Sequence, residues 1–214
     1  LEFQSAEESI HDTYGGFIDN VSVTAVPTVD EDDLANGSDG SDSASVQGSL
    51  GLELGADADM ATVSMDGETT GLTSNGEAVT YSFNGSTLTA SSASGPVFTI
   101  VADLANNTYT FNLVGTLDHN ISGEDNLLID FNVTVTDGDG DTATGSYTVN
   151  VVDDVPEAFD NTVGTADGNV ITDDTADVTG ADGATVTAVI YNSVETAVPA
   201  TGTVNVTAAD GSIL

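Results

Sequence analysis

Lysine and arginine do not occur in this chain. Its 36 aspartates and glutamates face no basic counterpart other than two histidines, so the formal net charge is −36 over 214 residues. No salt bridge to Lys or Arg can form, and self-repulsion on this scale opposes compaction. Metal cations or high salt must therefore offset it. Nucleic-acid binding, which sets Lys and Arg against phosphate, is excluded, and contact with an anionic membrane surface is disfavoured for the same reason. Cysteine is also absent, which removes disulfides and thiolate metal sites and leaves bound ions as one remaining way to stabilise small domains. Tryptophan is missing and aromatics make up only 6%, so no aromatic-lined cleft for glycoside chemistry is indicated. No apolar run reaches the roughly 18 residues that a membrane span needs, so no membrane insertion is expected. A signal peptide is not evident, which leaves the compartment open because secretion signals can lie elsewhere.

What is present is strand grammar. Apolar residues reach 39% and fall in alternating runs, which argues against the disorder that the charge would otherwise suggest. The spacing of β-branched and aromatic residues predicts strands at Ser45–Leu54, Met60–Met65, Ala78–Phe83, Ser86–Ser91, Val97–Ala102, Thr108–Val114, Leu127–Thr136 and Gly145–Val152. Tyr81/Phe83, Tyr109/Phe111/Leu113, Ile129/Phe131/Val133/Val135 and Tyr147/Val149/Val151 each supply one inward face. Asn84-Gly85 reads as a two-residue hairpin turn. The expected fold is all-β, a sandwich. Composition shifts at the acidic stretch Pro27–Asp42 and at Asp153-Asp154-Val155-Pro156 predict three parts. These are residues 1–26, the last strands of a preceding module; 27–154, a whole sandwich; and 155–214, the start of a second one. Both ends fall inside motifs, which reads as a piece of a longer tandem array.

The most pointed stretch is Asp137-Gly138-Asp139-Gly140-Asp141, between two clean strand patterns. Alternate residues in a tight loop turn toward a common centre, and three converged carboxylates repel unless a cation sits among them. A hard, oxygen-ligated ion fits, calcium above all; a solvated acidic hairpin is the alternative. An EF-hand reading fails, because Thr142 stands where the loop needs Gly and Thr148 where it needs Glu. The histidines, His11 and His119, read as structural or junction-lining rather than catalytic, and no nucleophile setting accompanies them.

The order of landmarks from Val29-Asp30-Glu31-Asp32 through Gly48-Ser49-Leu50, Leu72-Thr73-Ser74-Asn75-Gly76-Glu77, Thr108-Tyr109-Thr110-Phe111, Leu117-Asp118-His119 and Gly140-Asp141-Thr142 to Val149-Asn150-Val151-Val152-Asp153-Asp154-Val155-Pro156 resembles the long tandem repeat of RTX adhesins, giant proteins exported by type I secretion. Gly168-Asn169-Val170-Ile171 and Ala181-Asp182-Gly183-Ala184-Thr185-Val186-Thr187 look like the start of a VCBS-type, cadherin-like domain. Tyr14–Val23 resembles the closing strand of carbohydrate-binding jelly rolls, where a carboxylate near the Asp19 position often serves a structural calcium.

The resemblance implies immunoglobulin-like or cadherin-like sandwiches in tandem, secreted to the cell surface and stiffened by Ca2+ at their junctions. In such a sandwich the last hairpin is expected at the end where the chain comes in, which groups Asp137, Asp139 and Asp141 with Asp30 and Asp32. At the other end, Asp118 and Asp125 are expected to meet Asp153 and Asp154, with Asp182 from the following domain. The implied partners are calcium ions, neighbouring domains of the same chain and, through adjacent modules, surface or matrix glycans. A stalk is the expected role. A carbohydrate-binding region with its sugar site mostly outside the chain is the alternative, and an enzyme is not expected.

Overall fold

The structure is a computed structural model, and it describes residues 25–40, 43–52, 60–159, 171–172, 175–191 and 193–199. Two facing sheets are built between Thr28 and Val152. The first has four strands in the order β1 (Thr28–Asp30), β11 (Thr142–Val152), β10 (Asn126–Thr136) and β3 (Thr62–Gly67). The second has five: β2 (Ser45–Ser49), β9 (Thr108–Leu113), β8 (Gly95–Asp103), β7 (Thr87–Ser92) and β6 (Thr80–Phe83). A short hairpin, β4 (Thr73–Ser74) with β5 (Glu77–Ala78), stands apart. A further one, β12 (Ala188–Tyr191) with β13 (Val194–Ala197), lies in the C-terminal part. The protein is an all-β sandwich. Among the described residues no helix is long and apolar enough to cross a membrane.

The alternation in the sequence produces the core. On β10 the burial runs Ile129, Phe131, Val133, Val135, every second residue, with Asp130 exposed between them. Val149 and Val151 do the same on β11, and Tyr109, Phe111 and Leu113 on β9. These faces meet, as aligned sheets do. Phe98 stacks on Phe111 at 4.9 Å between centroids, and Tyr109 meets Phe131 edge-on at 5.0 Å across the two sheets. Tyr81 and Phe83 are only partly buried, because β6 is an edge strand.

The turn between β6 and β7 differs from its expected form by one residue. Phe83 pairs with Leu88, and the Asn84 amide donates to the Thr87 carbonyl at 3.2 Å, so Gly85 and Ser86 are the central pair. Gly85 takes φ +100°, the placement a glycine-first turn requires. Asn84 instead accepts the Ser86 and Thr87 amides on its side-chain oxygen.

Strand direction decides which loops are neighbours. β10 and β11 form a long hairpin, Thr136 paired with Thr142 at one end and Asn126 with Val152 at the other. β1 joins β11 in parallel, with Asp30 level with Val152. Asp30 therefore lies at the opposite end of β11 from the Asp137–Asp141 loop, roughly 33 Å away at ~3.3 Å per residue. The expected grouping of Asp30 and Asp32 with that loop is corrected: they belong to the end where the chain leaves the sandwich.

Candidate metal centres

At the hairpin end, Asp137, Asp139 and Asp141 do converge, offering ligand oxygens all within 4.8 Å of one another. The loop organises itself. Asp137 Oδ1 accepts the amides of Asp139 at 3.3 Å, Gly140 at 3.0 Å and Asp141 at 2.8 Å. The Asp137 amide closes the turn on the Asp141 carbonyl, and Gly140 supplies the left-handed residue at φ +99°. Hydrogen bonding with the Asp139 side chain, then with these amides, holds the Asp137 carboxyl below the usual aspartate range. This is an exposed, all-oxygen set, which suits a hard cation.

At the other end, the parallel β1–β11 pairing delivers the chain into a single turn of 3-10 helix, Glu31–Asp33. Asp30 caps it, accepting the Asp32 amide. Three residues per turn place Glu31 and Leu34 on the same side, and both point inward; Glu31 is completely buried. Its Oε1 accepts the Leu117 amide at 2.8 Å and stands 3.7 Å from His119 Nε2, an ionic contact too long for a hydrogen bond. His119 Nδ1 is hydrogen-bonded to Asp125, whose carbonyl accepts the Asp153 amide. Glu31, His119 and Asp153 each offer a ligand atom, again within 4.8 Å of one another.

The electrostatics reflect crowding without basic neighbours. Burial raises the Glu31 carboxyl, His119 and the Leu117 amide partly offset this, and Asp182 adds to it. Asp153 is raised by burial and by Asp125, Asp182 and Asp154, against a lowering by His119. Asp30 and Asp32 are raised, first by burial and then by acidic neighbours that include Glu124 and Asp154. For His119, burial alone pulls the pKa down, but the carboxylates of Glu31 and Asp125, with Asp153 behind them, lift it to about 9.

Asp30, Asp32, Asp125, Asp153, Asp154 and Asp182 thus share one end. Asp154 is a clamp there rather than a free ligand. It is buried and accepts from Ser38 twice, backbone at 2.8 Å and hydroxyl at 2.7 Å, folding the Leu34–Gly40 loop down. Next to that loop, Asn36 donates to the Ala181 carbonyl, and Ala181 is buried against the sandwich. Asp118 does not join: its Oδ2 accepts the Gly76 amide at 2.8 Å, and the next residue, His119, turns inward instead. Asp19 lies outside the described residues. Sequence reasoning missed Glu31 as a ligand, since one glutamate in an acidic run reads as solvated. Leu34 three residues on was the available signal.

A two-layer β-sandwich with carboxylates gathered at both ends is the class that this geometry defines. The chain belongs to the family described as a domain of unknown function, DUF5801, whose model matches residues 26–152, more than half of its 214 residues. No curated protein and no solved structure matches it.

Proposed function

We propose that the chain is a segment of the stalk of a large bacterial adhesin of the RTX kind, exported by type I secretion. Bound calcium stiffens it, and it presents binding modules for cell adhesion or biofilm formation without being an enzyme. The observation that carries this reading is the concentration of carboxylates at the two ends of one sandwich, in a chain with no Lys or Arg to neutralise them. Charge gathered at the ends of a module is where an ion can both relieve repulsion and fix a junction. The burial of Ala181, carried by the segment that follows the sandwich, against the sandwich core supports a fixed junction. The all-oxygen Asp137–Asp141 loop has calcium chemistry.

Extracellular calcium modules bind with Kd of about 10⁻⁴ to 10⁻³ M. At about 10 mM calcium each such site adds about 1.4–2.7 kcal/mol by mass action. The test is thermal melting and small-angle scattering with calcium, after chelation, and after calcium is restored, all at matched ionic strength. The expected result is a Tm several degrees lower and a less extended envelope on chelation, both recovered by calcium and not by sodium chloride. Identical curves in all three states would defeat the reading.

A further inference from the structure

The buried cluster at the exit end has a donor set that calcium does not explain. We propose that Glu31, His119 and Asp153 form a binding site for a first-row transition dication such as zinc, distinct from the calcium site of the Asp137–Asp141 loop and drawing Asp153 out of the calcium grouping expected at the exit end.

Unsatisfied atoms are the first observation. Among the described residues, four buried side-chain polar atoms lack a hydrogen-bond partner, and two of them, Glu31 Oε2 and His119 Nε2, belong to this one cluster. Their side chains are 0% and 3% exposed. A buried carboxylate oxygen left bare is expensive, and a missing ion is among the few reasons for it. An imidazolium bridging Asp125 and Glu31 would account for the charges, but it leaves Oε2 bare and Nε2 3.7 Å from its nearest acceptor.

The second observation is how the imidazole is held. Asp125 engages Nδ1, which fixes the proton there and turns the Nε2 lone pair toward Glu31. A carboxylate behind a histidine is the usual support of a metal-bound imidazole. The Leu117 amide on Glu31 Oε1 gives the carboxylate ligand a similar backing. Nitrogen is foreign to calcium, which takes oxygen ligands, whereas one imidazole with two carboxylates suits zinc and its neighbours. Tetrahedral zinc with bonds of ~2.0–2.1 Å sets its ligands about 3.3 Å apart. The three donors, within 4.8 Å of one another, need close by only about an ångström or so. Two ligand carboxylates then balance the dication, and a fourth position remains for water or for exposed Asp182.

The whole chain, stripped with chelator and refilled with millimolar calcium, is titrated with zinc by calorimetry and examined by zinc-edge X-ray absorption. The expected result is one zinc per chain bound despite the calcium, with an imidazole nitrogen in its shell. In H11Q the only imidazole left is that of His119, so an unchanged absorption spectrum there is the decisive positive, whether or not any variant at the site folds. H119Q, where it folds, weakens zinc about a hundredfold or more. No zinc beyond calcium, an all-oxygen shell, or loss of the imidazole signature in H11Q overturns the proposal. These readouts are independent of the melting behaviour that tests calcium stiffening, so either reading can fall alone.

Discussion

Tyrosine rings resting on glycines set the fine packing of this sandwich. Gly48 pairs with Tyr109 across β2 and β9, and a Cβ at Gly48 would collide with the Tyr109 ring. A Cβ at Gly67 on β3 would meet the ring of Tyr81 from the facing sheet, and one at Gly145 the ring of Tyr147 two residues on. The rings lie in the space that a side chain would take, and the hydroxyls reach backbone carbonyls, Tyr81 to Thr69 at 2.9 Å and Tyr147 to Leu50 at 2.6 Å. Gly48→Ala should therefore destabilise by about 1–3 kcal/mol, as overpacking does, read from the urea midpoint. Burial pushes the Tyr81 phenol from 10.0 up to about 12 and raises Tyr109 and Tyr147 in the same direction. The folded state then holds phenolic protons that the unfolded state releases, so stability is untouched below about pH 10 and falls as pH climbs toward 12. Urea midpoints across that range should show the fall, and Y81F should flatten it.

The β10–β11 hairpin and the segment from β1 through the 3-10 turn carry the element-scale argument. In the hairpin loop, Asp137 is spent on three amides, whereas Asp139 and Asp141 are exposed and Asp139 meets the loop through the Asp137 side chain. Asp139→Ala should leave calcium-free stability close to wild type and remove the loop's share of the calcium increment. Asp137→Ala should lower stability even without calcium, because three amides of the turn lose their shared acceptor. Paired melts of both variants with and without calcium separate the two roles. At the other end, Asp154→Ala should release the Ser38 loop, with a loss of about 1–3 kcal/mol and faster exchange of the Ser38 amide. The hairpin loop was legible in the sequence because its three acids are local. The exit cluster was legible only in part, because Glu31 meets Leu117 across 86 residues, and His119 two residues further on, a separation no local pattern reports.

For the molecule as a whole, two acidic clusters about 33 Å apart (ten steps of ~3.3 Å along β11) cap the two ends of an apolar core. With no Lys or Arg available, the clusters can be neutralised only by protons, by His119 or by bound cations. Screening by salt acts on exposed charge over about 8–10 Å at physiological strength and reaches buried Glu31 weakly. Sodium chloride alone should therefore raise Tm less than calcium at equal ionic strength, checked by scanning calorimetry over both titrations. The excess should shrink in D139A.

The sequence by itself determined the all-β class, the inward faces of the strands, the solvent-facing alternation, the converged Asp137–Asp141 loop and the absence of any Lys or Arg partner. Each follows from spacing over a few residues, or from composition. Only the tertiary structure decided which acids share an end. A period of two reads the same whichever way a strand runs, so nothing local to Thr28–Asp30 says that it will lie parallel to β11. That one direction moves Asp30 and Asp32 to the opposite pole. It also carries Glu31 into the interior against His119, where a buried carboxylate and an imidazole face each other with an oxygen and a nitrogen to spare.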